Sequence, residues 1–538
     1  MFRFLVERLA VSAGLNALAA TGPGKSPSGK SPTGGLETGG THTRAGQSRV
    51  SAAVARRSAR RGQRGQFWGE RLEGRSLMAA DFNSDGFDDL AVGAPGTWDG
   101  VKANAGEVVI AYGSFGGFLG AGQRLSKGTL GLPSNADDFF GKSVATGDFN
   151  GDGYDDLAIG VPGDDTGAVD AGAVVVVYGS ALGLTPLPTV FQQGVAGVPN
   201  VRAAGDFFGD SLASGDVNAD GRDDLAIGVP GENYLARLDS GLVHVLPGSA
   251  GGVTAAGSWM FGQDTVGGLV EPNDQFGKVL AMGRINGDAR LDIVVGVPNE
   301  DGGAGAVNVV YVTGGRPNQF FTQAAIGLSA AVANDKLGAS VAVGDFDDDG
   351  FDDVAIGAPG EDTGAIVDHG AVQLMYSNGL GLGTARALLV LQSAFPDLME
   401  AGDQFGFSVA AGDFDGDGVD DLAIGTPFED VGAVVDAGAV DIIFGRLGGL
   451  NFGRTVHLTQ ASGSEAGDHY GAALGVLDFD GDGRDDLAIG VPDEDIVSTD
   501  EGAVELLRNN GAIAQQIDEY MLGTGANAGH KFGSSSPR

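Results

Sequence analysis

Acidic side chains recur in this sequence at a spacing suited to holding a metal ion. In the loop from Asp148 to Asp156, oxygen-bearing side chains stand at positions 1, 3, 5 and 9 of the nine residues. Gly153 at position 6 can take the positive φ of a sharp turn, and Tyr154 at position 7 can offer its backbone carbonyl. Ligation by oxygen atoms alone, mostly from carboxylates, is the pattern that Ca²⁺ prefers. The loop therefore predicts a calcium site.

Six loops of this form begin at residues 81, 148, 216, 345, 413 and 478, and we expect about six calcium ions. Position 7 would contribute a backbone carbonyl, and the other four positions would contribute side chains. The predicted ligands are Asp81, Asn83, Asp85, Phe87 and Asp89; Asp148, Asn150, Asp152, Tyr154 and Asp156; Asp216, Asn218, Asp220, Arg222 and Asp224; Asp345, Asp347, Asp349, Phe351 and Asp353; Asp413, Asp415, Asp417, Val419 and Asp421; and Asp478, Asp480, Asp482, Arg484 and Asp486.

A seventh copy of the loop, starting at residue 284, is degenerate. Arg284 replaces the first Asp and Ala289 replaces the turn Gly, which leaves Asn286, Asp288 and Asp292. We expect no ion in this loop. The Arg284 guanidinium can instead pair with Asp288 or Asp292 as an internal substitute for the cation.

Two alternatives compete with the calcium interpretation. A plain acidic turn would leave three or four carboxylates of one loop close together, which is costly without a cation. An EF-hand requires Glu at position 12. In the six loops position 12 is apolar and is occupied by Val92, Ile159, Ile227, Ile356, Ile424 and Ile489.

Each loop belongs to a longer unit, and successive loops start 61–68 residues apart. A D-x-F-G-x-S-V-A segment, as at residues 403–410, precedes the loop, and three further apolar or extended runs follow it. Four strands per unit without a helical period are typical of one blade of a β-propeller. We therefore predict an all-β fold, a seven-bladed β-propeller of four-stranded blades over residues 67–538, preceded by a disordered N-terminal segment.

The unit resembles a known repeat. Phe405-Gly406, Gly357-Ala358-Pro359 and the D-x-[DN]-x-D-G-x-x-D loop match the FG-GAP repeat of integrin α-chain N-terminal propellers. Secreted bacterial proteins with FG-GAP or VCBS-like repeats are similar. The resemblance covers about 470 of 538 residues. It implies a propeller with calcium on one face and a role in adhesion or ligand binding.

The N-terminal region differs from the rest in charge. The net charge of residues 1–75 is +9, whereas that of the remaining residues is −48, and together they give the total of −39. Residues 21–66 are a low-complexity basic stretch that we interpret as a flexible linker. Residues 1–20 contain Arg3, Arg8 and a small-x-small motif at Ala17–Ala19, which fits a secretory signal peptide. A short disordered or helical leader is the alternative.

Composition excludes several classes of protein. The absence of Cys excludes disulfides and thiol chemistry, and a net charge of −39 disfavours contact with nucleic acid. No apolar run is long enough to predict a transmembrane anchor. We expect a secreted or cell-surface protein, monomeric and not an enzyme, that binds a protein or glycan ligand. The candidate surface is the face opposite the calcium loops, where acids such as Asp164 and Glu361 recur.

Two alternatives to a binding module stay open: a hydrolase or lyase that uses carboxylates of the central channel, and a purely structural envelope module. A Gly-x-Ser-x-Ala pattern resembling a hydrolase elbow occurs at four serines, but a nucleophile is needed only once, so we interpret it as structural. The aromatic residues before the repeated Gly are interpreted as packing between blades. These serines and aromatics are Ser143, Ser211, Ser340 and Ser408, and Phe139, Phe276 and Phe405.

Overall fold

The computed structural model describes most of the repeat region. The described residues are 77–98, 101–114, 122–312, 316–395, 399–460, 464–494 and 502–508, with the backbone of 513–518. All of them lie within one unit, Gly69–Arg538. The predicted signal peptide at residues 1–20 and the predicted disordered linker at residues 21–66 lie outside the described residues.

The described chain forms 28 strands in seven sheets of four, each sheet antiparallel and in chain order. We call the sheets blades 1 to 7. The strands are β1 Leu77–Ala80, β2 Asp89–Ala94, β3 Glu107–Ala111 and β4 Gln123–Leu125 (blade 1); β5 Val144–Gly147, β6 Asp156–Val161, β7 Ala173–Val177 and β8 Thr189–Phe191 (blade 2); β9 Leu212–Gly215, β10 Asp224–Val229, β11 Leu242–Leu246 and β12 Trp259–Phe261 (blade 3); β13 Val279–Gly283, β14 Asp292–Val297, β15 Ala306–Val310 and β16 Gln319–Thr322 (blade 4); β17 Ser340–Gly344, β18 Asp353–Ala358, β19 Ala371–Met375 and β20 Leu388–Val390 (blade 5); β21 Ser408–Gly412, β22 Asp421–Thr426, β23 Ala439–Ile443 and β24 Thr455–Leu458 (blade 6); and β25 Ala473–Leu477, β26 Asp486–Val491, β27 Ala503–Leu507 and β28 Ile513–Asp518 (blade 7).

The blades close into a ring. The first strands of neighbouring blades contact one another around a central axis, and β25 of blade 7 contacts β1 of blade 1. The predicted seven-bladed β-propeller is therefore confirmed. Because strands within a blade alternate in direction, all loops between first and second strands emerge at one end of the ring. Loops between second and third strands emerge at the other end.

Helical structure is confined to short turns in the described residues. They are Tyr234–Ala236, Gln263–Val266, Glu300–Gly303, Gln323–Ile326 and Gln392–Ala394. None of the described helices is long and apolar enough to cross a membrane.

The apolar cores lie between blades. Each of seven clusters of buried side chains joins two neighbouring blades, including one that joins blades 7 and 1. The second and third strands are buried along their whole described length, as in β18 and β19, because neighbouring blades cover both faces. Such strands read as near-continuous apolar runs.

The repeated aromatic residue locks one blade to the previous one. Phe405 is fully buried, and its backbone forms a bridge with Gly370 of the preceding blade. Gly370 has a φ of 82°, and a Cβ there would lie 2.2 Å from the carbonyl oxygen of Phe405, so only glycine fits. Phe276 is also buried at its interface, which agrees with the packing interpretation. In blade 2 the equivalent residue is Phe140, and Phe139 stands one position before it.

The repeated serines serve the same interfaces. The Ser408 hydroxyl donates a 2.7 Å hydrogen bond to the carbonyl oxygen of Gly471 in the next blade. Equivalent bonds join Ser143 to Gly209, Ser211 to Gly277 and Ser340 to Gly406. The four hydroxyls are engaged structurally, as expected.

Candidate metal centre

The six intact acidic loops share one backbone conformation. Each connects the first strand of a blade to the second, and the glycine at position 6 has a φ between 80° and 89°. The position-1 carboxylate fixes the loop by accepting backbone hydrogen bonds. In blade 5, Asp345 Oδ1 accepts the N–H of Asp349 at 3.1 Å and Oδ2 accepts that of Gly350 at 2.8 Å. The turn expected from the sequence is therefore present.

The position-9 aspartate is the first residue of the second strand and is buried in every blade. In blade 5, Asp353 Oδ2 accepts the N–H of Phe346 at 3.2 Å, and Oδ1 accepts that of Ser377 at 2.7 Å. Burial raises the pKa of Asp353 to about 8; the Ser377 bond opposes this, and the charges of Asp347 and Asp345 add to it. A nearby cation would favour the ionised form.

The structure brings the carboxylates of positions 1, 3 and 9 together in blades 5, 6 and 7. One oxygen of each residue lies within 4.8 Å of the others in each trio. The position-5 carboxylates are not in these trios, and Asp349 Oδ1 accepts the N–H of Phe351 at 3.1 Å. The trios are Asp345, Asp347 and Asp353; Asp413, Asp415 and Asp421; and Asp478, Asp480 and Asp486.

Buried oxygen atoms in these loops lack a hydrogen-bond donor. Asp347 is 2% exposed, and its Oδ1 has no hydrogen-bond partner. Asp480 Oδ1 in blade 7 and Asn150 Oδ1 in blade 2 are also buried and have no hydrogen-bond partner. An unsatisfied buried oxygen is costly, and a carboxylate oxygen is the costlier case. The donor set of hard oxygen atoms thus fits a divalent cation such as Ca²⁺.

Blades 1 to 3 carry asparagine at position 3. Asn83 Oδ1 accepts the N–H of Asp85 at 2.9 Å, whereas the Asn218 amide donates to Asp224 Oδ1 at 2.9 Å. Burial raises the pKa of the position-9 residues Asp89 and Asp156 to about 7 and that of Asp224 to about 6. These loops therefore present three carboxylates and one amide around the same turn.

The loop of blade 4 departs from the others, and not in the way expected. Arg284 is exposed, and no ion pair joins it to Asp288 or Asp292 in the described structure. The Asn286 side-chain amide instead donates to Asp292 Oδ1 at 3.0 Å. Ala289 does not have a positive φ, so the turn follows another path. The prediction that the Arg284 guanidinium takes the place of the cation is wrong, because the neutral amide of Asn286 donates to Asp292 instead.

The aspartate at position 8, which the sequence interpretation left out, joins neighbouring blades. Asp420 Oδ2 accepts the N–H of Asp345 in the preceding blade at 2.8 Å, and its own N–H donates to the Asp345 carbonyl at 3.1 Å. We call this reciprocal pair the position-8 clasp. Asp88 makes it with Asp478 across 390 residues and so closes the ring. Its signal in the sequence is the recurring Asp-Asp doublet.

Blade 4 carries Leu291 at position 8. Its N–H still donates to the Asp216 carbonyl at 3.2 Å, but the carboxylate half of the clasp is missing at this interface. The remaining position-8 aspartates lie at six interfaces. They are Asp88, Asp155, Asp223, Asp352, Asp420 and Asp485.

Acids on the opposite face also join blades, which corrects their interpretation as a ligand surface. Glu361 is buried and accepts a hydrogen bond from the Gln323 side chain of the preceding blade. Asp164 is buried beside Lys127, with 2.6 Å between Oδ2 and Nζ. Further pairs of this kind are Gln193 with Glu232, Gln263 with Glu300, Gln392 with Glu429 and Gln460 with Glu494. These carboxylates are unavailable to a ligand.

Charged residues break the repeat at the mouth of the central channel on that same face. Lys142, Asp210 and Lys278 line a cavity together with first-strand residues of other blades. Lys278 Nζ lies 3.2 Å from Asp210 Oδ2. The corresponding residue of blade 5 is Ala339. The channel mouth therefore holds polar residues that do not recur in every blade.

Comparison with known proteins agrees with the repeat. The FG-GAP repeat model matches residues 74–110, 140–177, 208–246, 337–375, 405–443 and 470–507, which omits blade 4. The chain thus contains six FG-GAP repeats, and its propeller is similar to that of integrin α-chains.

Integrin alpha-PS2 of Drosophila melanogaster is 35% identical over 190 residues, which are 34% of this chain and 12% of the relative. Integrin alpha-7 of Homo sapiens is 36% identical over 184 residues, 33% of this chain and 14% of the relative.

Two further likenesses are to enzymes. Phosphatidylinositol-glycan-specific phospholipase D of Bos taurus is 31% identical over 173 residues, 32% of this chain and 20% of the relative. The solved structure of an exotype rhamnogalacturonan lyase is 13% identical with a TM-score of 0.31, covering 83% of this chain and 73% of that one. The chain spans a fifth or less of the integrin and phospholipase relatives named here.

Proposed function

We propose that the protein is a calcium-binding propeller that acts outside the cell or at its surface and binds a protein or glycan ligand. The observation that carries the calcium part is the buried Oδ1 of Asp347, which lacks a donor inside a trio of carboxylates. Loops of this kind suit the millimolar calcium outside cells, where modules with dissociation constants of about 10⁻⁴–10⁻³ M are found. Secretion or surface display follows from that requirement.

The test is a count of bound metal. We expect six ions per chain by native mass spectrometry or anomalous scattering. Asp345→Ala should lower the count by one, because it removes the residue that fixes the blade 5 loop. Asp288→Ala is the matched control in blade 4 and should leave the count unchanged. An ion bound beside Asp288, or no bound calcium at all, contradicts the assignment.

Calcium should also stabilise the fold. An ion bound only by the folded state adds about 2.7 kcal/mol at a concentration 100 times its dissociation constant. Six such sites, which include the carboxylate trios of blades 5 to 7, should raise the melting temperature clearly. Saturating chelator that leaves thermal unfolding unchanged would count against the proposal.

For the ligand, we propose the face opposite the calcium loops. Large apolar side chains are exposed there in the loops of blades 1 to 5, and some of them, such as Trp98 and Leu235, have no counterpart in the other blades. Loops on a rigid scaffold commonly carry binding sites, and exposed apolar groups mark contact surfaces. The residues are Trp98, Val101, Val169, Val201, Leu235, Leu238, Leu269, Val332 and Val367.

The test is a screen of protein and glycan arrays with and without calcium, followed by variants of the first ligand found. Trp98→Ser combined with Leu235→Ser should weaken binding at least tenfold. Leu182→Ser with Leu447→Ser is the matched control, because these side chains are 96% and 78% exposed at the calcium end. Equal loss from both pairs would contradict the assignment of the face.

An enzymatic role is the second candidate, since a phospholipase D is among the relatives. The repeated serines do not support it, because their hydroxyls donate to backbone carbonyls of the next blade. The channel mouth offers Asp210, but Lys278 already pairs with it. A hydrolase or lyase assay on phospholipids and acidic glycans would decide, and turnover abolished by Asp210→Asn would favour the enzyme.

A further inference from the structure

An arginine accompanies every loop that has aspartate at position 3. Arg386 Nη1 lies 2.6 Å from Asp347 Oδ2 in blade 5, and Arg508 Nε lies 3.3 Å from Asp480 Oδ2 in blade 7. In blade 6, Arg454 pairs with Asp415. Each arginine comes from the connection between the third and fourth strands of the same blade, at the same end as the loop.

The loops with asparagine at position 3 have no such arginine. The connections at residues 112–122, 178–188 and 247–258 of blades 1, 2 and 3 contain neither Lys nor Arg. Blade 4 has Asn286 and also Arg316, but the Arg316 guanidinium donates to the Leu380 carbonyl of blade 5 at 2.6 Å. Among the intact loops, aspartate at position 3 and the arginine therefore occur together or not at all.

The side chains at the four predicted ligand positions carry the same summed charge in the two kinds of loop once this arginine is included. Side chains at positions 1, 3, 5 and 9 sum to −3 in blades 1 to 3 and to −4 in blades 5 to 7. One guanidinium restores −3. In blades 5 and 6 aromatic rings hold the guanidinium in place, with Cζ 4.4 Å from the Tyr376 ring centre and 3.9 Å from that of Phe444.

In blades 5 and 7 the arginine leaves one oxygen of the position-3 carboxylate without a donor. Arg386 binds Oδ2 of Asp347, while Oδ1 of the same carboxylate stays buried and without a donor. The same division holds at Asp480, where Oδ2 faces Arg508 and Oδ1 is unsatisfied. In these two blades the arginine therefore orients the carboxylate and neutralises one charge, and the other oxygen is left for a cation.

We propose that Arg386, Arg454 and Arg508 are positioning residues that match the calcium affinity of blades 5 to 7 to that of blades 1 to 3. This inference rests on the proposed calcium function. Without the arginine, each of these loops would hold one more negative charge and bind a divalent cation more tightly. Removing the aspartate and the arginine together would recreate the charge of an asparagine loop.

The experiment is a calcium-binding isotherm of the full chain, by equilibrium dialysis at fixed ionic strength. The native chain should show six sites of one affinity class. The triple variant R386Q, R454Q and R508Q should show two classes, three sites being about three- to tenfold tighter. The triple variant D347N, D415N and D480N should show three weaker sites. All six substitutions combined should return a single class near the native affinity.

The outcomes separate this inference from the function on which it rests. A native chain that binds no calcium overturns both. If the native chain binds six ions but the arginine variant binds calcium with unchanged or weaker affinity, the charge-matching proposal alone is overturned. Arg202→Gln is the matched control, because Arg202 donates to the Thr166 carbonyl on the opposite face, and it should leave the isotherm unchanged. Melting temperatures in saturating calcium check that each variant is folded.

Discussion

The position-8 clasp that closes the ring gives the sharpest test of the fold. Asp88 Oδ2 accepts the N–H of Asp478 at 2.8 Å, and no covalent connection joins blades 7 and 1 directly. Asp88→Ala removes a hydrogen bond to a charged group, which is worth about 1.5–3 kcal/mol. Because burial raises the pKa of Asp88 and the charge of Asp478 adds to it, losing the charge offsets part of that cost. We expect a net loss of about 1–2 kcal/mol in the free energy of unfolding.

The loss is measurable by thermal unfolding in saturating calcium at pH 8. For a propeller of about 470 residues the entropy of unfolding is about 1 kcal/mol/K, so the melting temperature should fall by about 1–2 °C. Asp88→Asn keeps the acceptor oxygen and removes the repulsion, and it should match or exceed the native stability. Asp155→Ala breaks the same clasp between the consecutive blades 1 and 2 and is the internal comparison.

The two clasp variants should differ in where the chain opens. Chain connectivity still holds blades 1 and 2 together in Asp155→Ala, whereas Asp88→Ala weakens the seam between blades 7 and 1. Hydrogen exchange should therefore accelerate in β1 and β25 for Asp88→Ala only. An Asp88→Asn variant as unstable as Asp88→Ala, or an Asp88→Ala variant with native stability, would refute the role of the carboxylate.

Two further predictions concern pH and backbone strain. Without calcium, the free energy of unfolding should fall as pH rises from about 4 to about 8. In the folded chain the pKa is about 8 for Asp353 and about 7 for Glu361, whereas the unfolded values are 3.8 and 4.5. The folded chain therefore binds more protons than the unfolded chain over this range, and this contribution to stability is lost as pH rises. Thermal unfolding in chelator that shows the opposite slope would contradict this. Gly370→Ala should lower the free energy of unfolding by about 3 kcal/mol or more, since the added Cβ would clash with the Phe405 carbonyl. Gly364→Ala is the control: Gly364 has a φ of 66° but open space around it, so the loss should be about 1 kcal/mol.

The fold was predictable because the same sequence pattern recurs seven times along the chain. The strands, the turn glycine at position 6 and the contact of each blade with the next all follow from local spacing and from the periodicity of apolar runs. The partner of a repeated residue was not predictable in this way. Both aspartates of the doublet at Asp420 and Asp421 recur, yet the first bonds to the preceding blade and the second to its own.

The candidate site was predictable in composition and less so in geometry. The sequence places Asp349 at position 5 of the loop, but the structure assembles only positions 1, 3 and 9. In blade 4, the charge of Arg284 suggested an ion pair, whereas a closer amide on Asn286 satisfies Asp292. Spacing identifies which residues share a loop. It does not determine which neighbour reaches a carboxylate first.

The net charge of −39 is a poor guide to what this protein binds. Buried carboxylates such as Asp89 and Glu361 accept hydrogen bonds from backbone or amide groups. They recur because the same hydrogen bonds stabilise each blade and its contact with the next. Features that serve the fold repeat with the blade. A ligand surface needs no sevenfold pattern, and the exposed side chains of Trp98, Leu235 and Leu269 have none. The departures from the repeat, rather than its acidity, therefore indicate where recognition is to be sought.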